Sequence, residues 1–320
     1  MVNRMESVGA ASTPDPAETF SPRGGLAYAA SAYGLWGLLP VFFLALVPMG
    51  PVELVAWRIV FSLVFCAVLL TATRSWHRVV AILRRGRTVA IMAAASVFIF
   101  INWQTYVFGT LSGHVVDAAL GYFINPIFTV LIGVVVLRER LRAPQWVAVG
   151  IAGVAVVVLA VGYGTVPWIA LVLATSFGLY GYIKKRVGGT VDALSGLTVE
   201  SLFLLPVAAV ALVVVSLTSE LMIGAPGPWH VGLPILSGVV TAVPLLFFAS
   251  ASRRLPLVTM GLVQFVAPLL QFIVGVVLLR EAMPLERWIG FGLVWVALVV
   301  LMVDLVVASR GTRRARAAAV

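Results

Sequence analysis

The chain has 320 residues, of which 62% are hydrophobic and 11% charged, with a mean hydropathy of +1.09 and a formal net charge of +10. That much apolar surface exceeds what a soluble domain of this length can bury, so the composition excludes a soluble globular protein and points to an integral membrane protein. Nor do the cations form a nucleic-acid surface: they punctuate short segments between apolar runs instead of gathering on one face.

Residues 1–25 carry Glu6, Asp15, Glu18, Pro14, Pro16 and Pro22 without an apolar core ahead of a cleavage site, so they read as a disordered cytoplasmic N-terminus with no signal peptide. Crossing a hydrocarbon core of roughly 30 Å takes about 20 apolar residues. Ten runs meet that requirement, near 26–47, 52–73, 88–110, 117–137, 145–162, 167–183, 191–217, 230–250, 256–279 and 286–307. They are too long and too continuously apolar for outer-membrane strands, so the expected fold is all-α, with ten transmembrane helices. Between the second and third runs, Arg74 to Arg87 with Trp76, His77 and Leu83 reads either as a helix on the membrane surface or as a basic loop. Cys66, the one cysteine, falls in the second run, so no intrachain disulfide is expected. The tail, residues 308–320, is basic and is assigned no structure.

If the N-terminus is cytoplasmic, nineteen of the 22 cations fall on the inner side; Arg280 and Arg287 fall outside and Arg58 within a span. Cytoplasmic loops collect Lys and Arg, so this bias favours ten spans with both termini in the cytoplasm.

Pro126 to Glu139 and Pro268 to Glu281 share Pro, Gly-Val-Val and Leu-Arg-Glu at an offset of 142 positions, and the register continues through Trp146 and Trp288 and through Gly150 and Gly292. The chain is therefore read as a duplication, with repeats over 26–162 and 167–307. Five helices per repeat is an odd number, so the second repeat starts from the opposite side of the bilayer and the two are inverted.

Polar side chains inside membrane helices need a reason. In the fourth span Tyr122, Asn125 and Thr129 fall on one helical face; in the ninth, Gln264 and Gln271 are the equivalents of Tyr122 and Thr129. Positions polar in both copies are expected beside the pseudo-two-fold axis at mid-membrane, where a transporter holds its solute. The alternative is interhelical hydrogen bonding, worth roughly 0.6 to 2 kcal/mol each. Pro126 and Pro268 lie between these positions, lack an N–H and crowd the carbonyl four residues earlier, so both helices are expected to kink. Asn102, Trp103 and Tyr106 of the third span and Trp36 of the first offer polar-tipped aromatics, suited either to an organic solute or to packing. Arg58 and Glu200 are the deepest charges, about 9 to 14 Å inside their spans at 1.5 Å per residue. With Asp117 they are candidates for charge or proton coupling, and structural pairing, Arg58 and Glu200 with each other, is the competing reading. His77, His114 and His230 have no Cys or carboxylate cluster beside them, so neither a metal nor a cofactor is expected; no phosphate-binding Gly-x4-Gly-Lys loop and no nucleophile triad point to an enzyme.

Asn102-Trp103, Asp117-Ala-Ala-Leu-Gly121-Tyr-Phe-Ile-Asn125-Pro126, Glu139-Arg-Leu, Gln145-Trp146, Leu205-Pro206-Val-Ala-Ala, Thr241-Ala-Val-Pro244-Leu-Leu, Gln264 and Pro268 together resemble the EamA family of the drug/metabolite transporter (DMT) superfamily, within its RarD subgroup. The resemblance runs from Leu26 to about Val306. It implies two inverted five-helix halves around a central cavity in a bacterial cytoplasmic membrane. It also implies export or exchange of small organic molecules, and with the inverted repeat and its paired polar positions the expected function is a secondary transporter that moves a small organic metabolite or drug-like solute by alternating access. A non-transporting scaffold or a channel, which the small packing residues Gly133, Gly150, Gly153, Gly275 and Gly290 would also suit, stays open as the alternative, and a homodimer stays open as the assembly.

Overall fold

The computed structural model describes residues 22–138, 140–187, 190–225, 227–252, 254–255 and 257–317. The described residues form helices and turns and contain no strand. The first span is α1 (Pro22–Gly37) followed by the short α2 (Leu39–Leu44); α3 (Pro51–Ala72), α5 (Gly86–Leu111), α6 (Val115–Leu137) and α7 (Ala143–Tyr163) complete the first half. Between α3 and α5 lies α4 (Trp76–Leu83), so the segment left open between helix and loop is helical, and its Val79 and Ile82 pack onto Leu70, Met92 and Val199. The second half comprises α8 (Trp168–Lys185), α9 (Ala193–Thr218) and α10 (Trp229–Ser252). Its ninth span is divided into α11 (Leu257–Val263), α12 (Val266–Ile273) and a π-helical turn (Val274–Leu278), and α13 (Leu285–Ala317) follows.

Nine of these stretches are long and apolar enough to cross a membrane. The tenth, α8, carries Lys184 and Lys185 in its last turn and packs against α5 and α6. Because neighbouring helices cover it, it needs less hydropathy than a helix facing lipid. Helix α13 continues past the expected end of its span at residue 307, since the Ala- and Arg-rich tail contains no proline to stop it.

The duplication is visible in the backbone. Arg138 and Arg280, equivalent under the 142-residue offset, end their helices in the same left-handed conformation, with φ of 54° and 53°. The two copies also run antiparallel, because the main-chain amides of Val115 and Val116 at the start of α6 donate to Glu281 just past the end of the π-turn. Span pairing follows the same symmetry: α3 packs on α9, α6 on α12 and α7 on α13, and the contact of α5 with α8 is mirrored by that of α10 with α1. Phe123 and Phe265, equivalent residues, stack on each other with ring centroids 6.4 Å apart and planes 14° apart. Equivalent residues can touch only at the axis that relates them, so this pair marks the pseudo-two-fold axis.

Close approach of helices rests on glycine. A Cβ on Gly121 would lie 2.7 Å from the Ala170 carbonyl, and one on Gly238 would collide with the Phe61 carbonyl, bringing α6 onto α8 and α10 onto α3.

The halves are tied at both ends of the bundle. At the end that carries few cations, Glu281 caps α6, Asp117 pairs with Arg287 at 3.2 Å, Glu53 accepts from the Met222 and Ile223 amides, and His230 Nε2 lies 3.0 Å from the Val47 carbonyl. At the basic end Arg142 pairs with Asp304 at 2.6 Å.

Candidate functional site

Proline positions the site by removing main-chain donors. Pro40 cannot donate to the Trp36 carbonyl, the helix breaks at Leu38 between α1 and α2, and the freed Trp36 carbonyl accepts from Gln271 Nε2 at 3.1 Å. Pro268 cannot donate to the Gln264 carbonyl, and the ninth span breaks at Gln264-Phe265, between α11 and α12. Its equivalent, Pro126, sits inside an α6 that runs unbroken from Val115 to Leu137. Kinking thus interrupts one copy only: asparagine and aromatic packing against α8 hold α6 along its length, whereas α12 leans on α1 and α6.

A buried polar network crosses the two halves beside this break. Tyr122 Oη donates to Asn102 Oδ1 at 3.0 Å, and Asn102 Nδ2 donates to the Leu173 carbonyl and to Ser176 Oγ, each at 3.2 Å. Tyr106 is packed edge-on against both Tyr122 and Phe43, at 5.6 and 6.0 Å. Arg58 is 4% exposed. Its Nε donates to Thr241 Oγ1 at 2.8 Å, and its guanidinium lies 4.4 Å from the Trp103 ring centroid and 5.4 Å from that of Phe43. The Thr241 hydroxyl donates its own hydrogen bond to the Ser237 carbonyl, which leaves its lone pairs to Arg58.

The structure therefore brings Asn102, Trp103, Tyr106, Tyr122 and Arg58 into one cluster, with Gln271 and the Trp36 main chain at its edge. Asn125 donates instead to the Ala174 carbonyl, a tie between α6 and α8. Thr129 is exposed and donates to the Asn125 carbonyl of its own helix, away from the cluster. Gln264 is half-buried at the break in the ninth span.

Arg58 and Glu200 do not pair with each other. Arg58 lies about 10 Å from the start of α3 at the cation-poor end, and Glu200 about as far from the start of α9 at the basic end, at 1.5 Å per residue. Glu200, 2% exposed, pairs with Lys184 at 2.8 Å and accepts from Tyr180 Oη at 3.3 Å. Asp117 is held by Arg287 near the cation-poor end. In the adjoining loop, burial raises the Glu281 carboxyl above the usual carboxylate range, and the Val116 and Val115 amides offset part of that rise.

Sequence reasoning missed Thr241, Phe43, Ser176 and Glu281 as partners. Thr241 stands in a distinctive Thr-Ala-Val-Pro run and Glu281 ends the duplicated segment, but neither position states which helix it will meet.

A model of the EamA-like transporter family matches residues 23–161, the first repeat. Protein RarD of Streptomyces exfoliatus is 47% identical over 92% of this chain and 92% of its own. An uncharacterized transporter of Vibrio cholerae is 38% identical over 95% of this chain and 99% of its own. The chloramphenicol-sensitive protein RarD of Pseudomonas aeruginosa is 31% identical over 85% and 91%. A crystal structure of a protein 18% identical to this one covers 88% of this chain and 97% of its own at a TM-score of 0.57, a likeness of fold alone. With its antiparallel duplicated halves and these relatives, the chain is a multi-pass membrane transporter that belongs to the EamA-like family of the drug/metabolite transporter superfamily, in its RarD group.

Proposed function

We propose that the protein is a secondary transporter that carries a small organic solute across the cytoplasmic membrane by alternating access. The observation that carries this reading is the Phe123–Phe265 stack, which we take to mark the pseudo-two-fold axis; Phe123 neighbours Tyr122, a member of the polar cluster with Asn102. A site beside such an axis can face either side when the halves rock. Sealing at the cation-poor end supports the same reading: its ties join one half to the other through few buried bonds, which a rocking motion can exchange. The gathering of Arg and Lys at the opposite end supports a cytoplasmic placement of that end and of both termini. Export or exchange is the direction we adopt, in keeping with the resemblance.

Counterflow in proteoliposomes tests the proposal. Vesicles preloaded with a cell metabolite extract should accumulate labelled solutes only when protein is present, with saturation. Flux without saturation or counterflow would mean a channel, and no flux of any solute would leave a scaffold.

A further inference from the structure

Among the described residues, the buried acidic side chains are engaged away from Arg58. Glu53 accepts from the Met222 and Ile223 amides, Asp117 pairs with Arg287, Glu200 with Lys184, Glu281 caps α6, and Asp304 pairs with Arg142. No ion pair forms at Arg58 among the described residues. One guanidinium nitrogen is satisfied by Thr241, while Nη1 is buried without a hydrogen-bond partner. A guanidinium held this deep in hydrocarbon without a counter-charge is costly, and it is commonly kept only where an anion or water will meet it.

The surroundings of Arg58 repeat the pattern. Tyr106 Oη and Gln271 Oε1 are buried without a close hydrogen-bond partner, and the Tyr106 hydroxyl lies within weak hydrogen-bonding reach of the Gln271 side chain. Phe43 lies beneath the Arg58 guanidinium and edge-on to the Tyr106 ring. One cation, and a hydroxyl and an amide oxygen with no closer partner than each other, thus sit among the rings of Phe43, Trp103, Tyr106 and Tyr122.

We infer that the solute is a monoanion, a carboxylate on a flat aromatic or unsaturated body, with its carboxylate on Arg58 Nη1 and Tyr106 Oη and a hydroxyl or amine of the body donating to Gln271 Oε1. This rests on the transport reading above and names the class of solute that site takes. An Arg fork matches a carboxylate in shape and charge, and the aromatic walls suit a planar body. A cationic solute would meet like charge with no acid among the described residues paired to Arg58 to offset it.

The test uses the full chain in lipid nanodiscs and three probes that share one ring: 4-hydroxybenzoate, its neutral amide, and 4-hydroxybenzylamine. Binding is read by calorimetry and by quenching of tryptophan fluorescence, Trp103 being the indole next to Arg58. The benzoate should bind saturably and at least about tenfold tighter than the amide, the worth of one charge-assisted hydrogen bond. Arg58→Gln should erase that preference, and Arg58→Lys and Tyr106→Phe should each reduce it. Equal affinity for benzoate and amide, preference for the amine, absence of binding, or a preference that survives Arg58→Gln in a monodisperse protein overturns the proposal, and the wild-type comparison decides even if the variant does not fold. Selective binding without counterflow would sink the transport reading and leave this site standing. Saturable counterflow of the neutral amide, unchanged in Arg58→Gln, would do the reverse.

Discussion

Glu281 is the tie whose removal should be easiest to read. Its two carboxylate oxygens accept from the Val115 and Val116 amides at 2.6 and 3.0 Å, so a residue of the second half caps a helix of the first. Charge-assisted hydrogen bonds contribute roughly 1.5–3 kcal/mol each, but the raised carboxyl shows that burial takes back part of this. Loss of a helix cap, about 0.5–2 kcal/mol, is therefore the better scale, and a middle value of about 1.4 kcal/mol shifts the open-to-closed ratio about tenfold. In a Cys66→Ser background, a cysteine in place of Ala118, which is fully buried one turn below the cap, reports opening through its rate of reaction with a membrane-impermeant maleimide. Glu281→Ala should raise that rate about tenfold, whereas Glu281→Gln, which keeps an acceptor and sheds the buried charge, should stay within about threefold of wild type. Acid acts in the opposite sense to the truncation. The closed form binds the Glu281 proton more tightly than a hydrated open form, so closure is strongest at low pH and weakens as pH rises through the raised carboxyl range, with Asp117, His114 and Arg287 facing the same carboxylate. An unchanged labelling rate in a well-folded Glu281→Ala protein would refute the role of this cap as a seal.

Three further outcomes follow from packing and pairing. Tyr122→Phe removes the donor to Asn102 Oδ1 while keeping the ring, so it should raise KM about three- to tenfold at nearly constant kcat in counterflow, as expected for about 1 kcal/mol of binding. Lys184→Ala leaves Glu200, 2% exposed, without its cation, and should lower stability by about 2–3 kcal/mol in thermal unfolding; Lys184→Met with Glu200→Leu should restore most of it. Gly238→Val would drive a branched side chain into the Phe61 main chain and should cost about 1–3 kcal/mol or block folding, read as lost monodisperse yield, whereas Gly292→Ala, with open space at its Cβ, should be silent.

The ten spans, the duplication and its inversion were legible because each rests on a pattern within the chain: run length, register and charge. Partner identities were not. Arg58 and Glu200 look alike in sequence, two charges at similar depth, yet α3 and α9 start from opposite ends of the bundle, which separates them and gives one to Thr241 and the other to Lys184. The breaks were only half legible. Pro40, Pro126 and Pro268 mark their spans in the same way, but whether one opens the helix depends on what meets the freed carbonyl, as Gln271 meets Trp36. Chemistry is also less symmetric than the scaffold. Aligning Val52-Glu53 with Val191-Asp192 places Leu197 opposite Arg58, and the axis faces Tyr122 on one side with Gln264 on the other. Duplication supplied a frame that can turn inside out, and divergence within it placed a guanidinium deep inside a span, that of Arg58, in the first half. A solute held there bridges the halves, through Arg58 and Tyr106 of the first and Gln271 of the second, so substitutions at Arg58 should change what is carried, and substitutions at the ties of the second half, Glu281 and Arg287, should change how often the carrier turns.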